Sequence, residues 1–173
     1  MTARSVSQAE VQITELRSKD PGRRIRARKT LVSMGKLAVP LLVELLHDRA
    51  EHVRWEACKT LGQIKDPAAA PALVEALRDE NMEIQWLAAV ALIALRRKAI
   101  VPLLESLERD FESAYLRQGA HHVLHALERE KLLNKDTIAV VDSLRSMEPV
   151  GEIAVAARKV LSSLRQAAGE DRK

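Results

Sequence analysis

Aromatic residues are almost missing: Trp55, Trp86, Phe111 and Tyr115 are the full set, 2% of 173 residues. A core must therefore be built from Leu, Ala and Val, which suits close helix packing better than a sheet. One cysteine, Cys58, excludes an internal disulfide and fits a reducing compartment. No apolar run approaches the length of a bilayer span, so none is expected. Met1–Gln12 has no apolar stretch of the secretory kind, so no export signal is expected either. These absences point to a cytoplasmic protein with no membrane association. What is present is globular in character, with 47% hydrophobic and 30% charged residues and enough length for one domain with a core.

Charge is unevenly placed. Residues 1–36 carry nine Lys and Arg against three Asp and Glu, while the remaining 137 carry nineteen against twenty-one. The net charge of +4 thus belongs to the first 36 residues, not to the whole chain.

The stretch Ile84–Leu95 holds one polar side chain, Gln85, in twelve residues. It lacks Gly and Pro and is rich in Ala and Leu, so it reads as helix. A helix apolar all round must be covered by its own chain or by a partner. Its neighbours repeat its pattern. Ala27, Ala57, Ala88, Ala120 and Ala157 form one column, and Leu31, Leu61, Leu92, Leu124 and Leu161 a second. Met34, Ile64, Leu95, Leu127 and Leu164 form a third. The columns lie at i, i+4 and i+7, one helical face, and the leucines are spaced 30, 31, 32 and 37 residues apart. Pro40, Pro71 and Pro102 each open a shorter apolar segment, as Pro does in a first helical turn. Asp48, Asp79 and Asp110 fall between the two segments, where Asp can cap the second helix. Five helix pairs follow, at about 6–35, 37–65, 68–97, 99–131 and 136–166, within one domain over 1–173. The wider last spacing and the polar segment Glu128–Asp136 break the register before the fifth pair. Residues 167–173 form a polar tail expected to fray.

The motif Asp48 to Val53-Arg54, then Ala57, Thr60-Leu61-Gly62, resembles the HEAT-repeat superfamily. Its short spacing is most similar to the HEAT-like repeats of phycobilisome lyase-type proteins. Asp79 to Ile84-Gln85 and Asp110 to Leu116-Arg117 repeat it, with Gln for Arg in the first and one extra residue in the second. The resemblance covers about residues 10–165. It implies an all-α, right-handed α-solenoid, with second helices lining a concave groove. It implies little about function, because the fold hosts many.

Arg24, Arg54, Gln85 and Arg117 share one column. They could grip phosphates, but pairing with Asp of neighbouring turns, as the resemblance implies, is favoured. Arg23, Arg24, Arg26, Arg28 and Lys29 form a basic patch that could meet nucleic acid or an acidic protein face, or simply be a solvated terminal repeat; nucleic acid is not favoured. His121, His122 and His125 lie on the fourth second helix, and no third ligand stands at metal-binding spacing. Cys58 has no assignable base, which argues against a nucleophile. Trp55 and Trp86, 31 residues apart, could clamp a ligand, with stacking between repeats favoured.

The row one residue before the core columns distinguishes the repeats. It reads Arg26, Lys29, Ser33 in the first and Glu56, Lys59, Gln63 in the second. It continues as Leu87, Val90, Ala94, then Gly119, His122, Ala126, then Ala156, Lys159, Ser163. With Trp86, the apolar centre of this row marks a partner-binding groove with basic ends. The expected function is a non-catalytic scaffold that binds a protein or peptide, with no cofactor and no metal. Self-association through the same patch is the competing occupant. The alternative function is an enzyme or enzyme subunit of a HEAT-like family, of the bilin lyase or glycosylase kind. Against it, no His-Glu dipeptide, P-loop or dinucleotide motif occurs, and the groove row offers one acid, Glu56.

Overall fold

The computed structural model describes residues 3–146 and 151–170; the end of the polar tail expected to fray, 171–173, lies outside them. Among the described residues the chain is helical throughout, with no strand and no helix long and apolar enough to cross a membrane. The first three pairs are α1 (Ala3–Leu16) and α2 (Pro21–Met34), α3 (Val39–Leu45) and α4 (Glu51–Ile64), and α5 (Ala70–Ala76) and α6 (Met82–Leu95). The last two are α7 (Ile100–Arg109) and α8 (Ala114–Arg129), then α9 (Lys135–Arg145) and α10 (Gly151–Glu170).

Local chemistry explains these boundaries. Asp20 caps α2 by accepting from the Gly22 N–H at 2.7 Å, with Pro21 at the first helical position. Pro40 and Pro71 stand in the first turns of α3 and α5, as their spacing predicts. Each short first helix is entered through a 3-10 turn, at Gly35–Leu37, Pro67–Ala69 and Arg96–Ala99. The Asp column does not cap. Asp48 and Asp79 accept from the backbone two residues on, at Ala50 and Asn81. It is Asn81 that accepts from Glu83 and Ile84 at the start of α6, and Ser113 that caps α8. The aspartates shape the turn, and the capping falls to the residue nearer the helix. Gly35, Lys65, Arg96 and Lys131 follow their second helices with φ of 56–59°. This left-handed stop ends α4 and α6 at or before the residues the apolar pattern alone suggests.

The first two core columns are buried in all five second helices, from Ala27 and Leu31 to Ala157 and Leu161. In the third column Leu95 and Leu127 are buried, while Met34, Ile64 and Leu164 are partly covered. The sequence suggests one domain over 1–173; contacts in the structure gather into two compact units, 1–95 and 96–173. In the first unit α2, α4 and α6 lie side by side, with α1, α3 and α5 against them. Helices α4 and α6 approach closely at Gly62, where a Cβ would come within 3.1 Å of the Ala91 Cβ. Small residues in the facing rows make that approach possible.

The second unit is connected differently. Helix α10 packs chiefly on α7 and α9, and α9 on α8, so the four helices close a ring. Arg158 and Arg165 of α10 reach Glu108 and Glu105 of α7 at 2.8 and 3.5 Å. The register break falls between α8 and α9. Lys131 takes the left-handed conformation and the Leu132 N–H bonds the Leu127 carbonyl at 3.0 Å, ending α8 in a Schellman turn.

Candidate functional site

The arginine column is occupied by structure. Arg24 donates to the carbonyls of Ser18 and Lys19, Arg54 to those of Asp48 and Arg49, and Arg117 to those of Phe111 and Glu112. Gln85 does the same to Asp79 at 2.6 Å. Each therefore satisfies carbonyls at the end of the preceding helix and its turn, where the backbone has no helical partner. Arg54 also forks onto Asp79, at 2.7 and 3.0 Å, and reaches Glu80 at 3.0 Å. The Asp79 bond is the main reason the guanidinium is held above its ordinary range. Asp48 pairs with Arg17; burial pushes its carboxyl up, but the Ala50 N–H and Arg17 outweigh this and leave it lowered. The favoured pairing of a column arginine with Asp of the neighbouring turn is thus present at Arg54 and Asp79, whereas Asp48 pairs with Arg17, outside the column, and Arg24 with Glu56.

Glu56, expected on the groove, is 4% exposed and faces α2 instead. Arg24 holds it at 3.2 Å and Arg28 pairs with its other oxygen. A carboxylate could not lie so deep between helices without such partners. The basic patch is correspondingly reduced. Arg24 and Arg28 serve Glu56, and Arg23 pairs with Glu15 at 3.0 Å. Arg26 and Lys29 remain exposed, with no ion pair among the described residues.

Trp86, Leu87 and Lys59 do converge. With Trp55, Met82 and Glu83 they line an open cleft of about 420 Å³ across the N-terminal halves of α4 and α6. The Lys59 ammonium sits 4.2 Å from the Trp55 ring centroid, a cation–π contact. The tryptophans do not stack; the rings in contact among the described residues are His121 and His125, with centroids 5.8 Å apart. Met82 is 79% exposed, Trp86 60% and Val90 39%, so the other helices of the first unit leave this side of α6 uncovered. Ala94 lies further along and is partly covered. Met82 and Glu83 are absent from the sequence-derived row, which starts at Leu87. Their signal is the i, i+4 relation of Met82 to Trp86 on the first turn.

His122, Ala126 and Lys159 belong to the second unit, where His122 and Lys159 are exposed. His121 is partly buried with its Nε2 unpartnered, and burial, then His125, lowers its basicity. Cys58 is buried against the Ile84 carbonyl, and burial pushes its thiol up to about 12, far from a nucleophile's range. Among the described residues no group of three or more His, Cys, Asp or Glu is placed to hold a metal.

Residues 10–93 match the family model for HEAT repeats. A chain from the structure of the complex of CpcE and CpcF of phycocyanin lyase from Nostoc sp. PCC7120 has the same fold. It is 23% identical, with 88% of this chain and 99% of that chain covered and a TM-score of 0.56. An engineered protein follows at 20% identity, 96% and 87% coverage and a TM-score of 0.48. A designed armadillo repeat protein in complex with the peptide (KR)4 has 19% identity, 87% and 80% coverage and a TM-score of 0.40. No curated protein matches the sequence. Residues 10–93 are thus similar to HEAT repeats, and the chain has an all-helical repeat fold shared with the phycocyanin lyase chain.

Proposed function

We propose that this protein is a non-catalytic scaffold that takes a protein or peptide segment in the cleft between α4 and α6. The observation that carries the reading is the uncovered apolar side of α6, with Met82, Trp86 and Val90 exposed beside Leu87. An apolar patch rimmed by charge is the usual mark of an interaction site, and large aromatic side chains dominate the energy of such sites. Covering Trp86, Leu87 and Val90 releases roughly 5–9 kcal/mol gross, reduced by the cost of association. Self-association is the competing occupant. The enzyme-subunit reading draws on the likeness to a phycocyanin lyase chain, and at 23% identity that likeness carries the fold alone.

Affinity capture with the intact protein and with a Trp86→Glu/Val90→Lys variant tests the proposal. Both side chains are exposed, so the variant keeps its helical circular dichroism and melting temperature. A partner retained by the intact protein and lost by the variant is the expected result. A partner held equally by both removes the cleft from the account. Concentration-dependent mass lost only in the variant assigns the cleft to a second copy, and a visible absorbance band in the purified protein favours the enzyme reading.

A further inference from the structure

The side-by-side order of α2, α4 and α6 gives the cleft a charged approach on one side. Lys29, Lys59 and Val90 occupy the same repeat position on these three adjacent helices. The face therefore runs from exposed lysine, through the lysine poised over Trp55, to exposed valine on α6. Arg26 lies one turn before Lys29 and is also exposed. Helix α2 contains no acidic residue. The acid of this row on α4, Glu56, is withdrawn between the helices, where Arg24 and Arg28 together overbalance it. On the opposite rim of the cleft stands Glu83 of α6. The surface is thus basic on the α2 side, apolar in the cleft, and acidic at the α6 rim.

We infer that the occupant is an acidic peptide segment with a large apolar anchor, its carboxylates extending from the anchor towards α2. This rests on the cleft being a binding site and adds the chemistry and polarity of what it binds. Neighbouring helices lie about 10 Å apart, and an extended chain advances about 3.3 Å per residue. An anchor between α4 and α6 therefore places carboxylates over Lys59 and then over Lys29 and Arg26 within about six residues, on one side only. Glu83 repels acids on the other side, which sets the register. A nucleic acid strand would instead call for phosphate contacts along the whole track, and α6 carries no Lys or Arg.

A random dodecapeptide library panned against the full-length protein tests this. Trp55 and Trp86 are its only tryptophans and both line the cleft, so intrinsic emission reports occupancy directly. Enrichment of sequences with an aromatic or large aliphatic anchor and acids on one flank is the expected result. Arg26→Ser/Lys29→Ser should then weaken the enriched peptide about three- to tenfold and reduce its salt dependence. Trp86→Glu/Val90→Lys should abolish binding. Enriched peptides that are neutral or basic, shift tryptophan emission and ignore Arg26→Ser/Lys29→Ser would overturn the acidic inference while leaving the cleft as a binding site. No enrichment, or peptides that bind without changing tryptophan emission, would overturn the cleft reading itself.

Discussion

Glu56 shows how a residue's neighbours decide its role. Its position in the repeat row matches Leu87, yet Leu87 lines the cleft and Glu56 is clamped by Arg24 and Arg28. The column pattern gives the angle of a side chain about its helix. It does not show that two arginines on the preceding helix will draw a carboxylate inward. Glu56→Gln leaves both guanidiniums short of a counter-charge in a part-buried place, and chemical denaturation should show a loss of about 2–3 kcal/mol. His121 supplies a pH dependence. Its folded basicity lies below the ordinary value of 6.5 through burial, then through His125, Arg145 of α9 and His122, with Glu128 opposing. A group of lowered folded pKa that is charged when protonated favours the folded state only while neutral. Its contribution is therefore complete above about pH 6.5 and is lost as pH falls through its folded value. Melting temperature should decline between pH 7 and 5, and His121→Gln should flatten that decline.

At the scale of elements, most of the fold was legible. Helices came from the three apolar columns, and first-helix starts from Pro40, Pro71 and Pro102. The ends of second helices were less legible, because Lys65, Arg96 and Lys131 take a left-handed stop that glycine normally announces. Helix α6 was legible in composition but not in exposure. Eleven apolar residues in twelve imply cover on all sides, whereas Ala88, Leu92 and Leu95 are buried and Trp86 and Val90 are open. Leu92 sits at the centre of the covered side. Leu92→Ala should cost about 2–5 kcal/mol by equilibrium denaturation, since the facing helices cannot collapse fully into the space. A loss below about 1 kcal/mol would show that the column does not face the core.

At the scale of the molecule, the sequence carries the repeat but not the way its last two pairs connect. The 37-residue spacing announces a break, while the closing of α10 onto α7 depends on long-range contacts such as Arg158 with Glu108 that no local pattern encodes. The cleft was half legible for the same reason. Leu87 and Lys59 fall in the repeat row, whereas Met82 and Glu83 join through the geometry of the first turn of α6. The central claim is that this cleft is where the protein meets its partner. Indole N–H resonances in a nitrogen-15 spectrum of the full-length protein test it most directly, because Trp55 and Trp86 are the only sources of such signals. On adding a peptide selected for binding, both indole signals should shift, and in Trp86→Glu/Val90→Lys the remaining Trp55 signal should stay in place. Shifts confined to backbone amides of α7–α10, with both indole signals unmoved in the intact protein, would contradict the account.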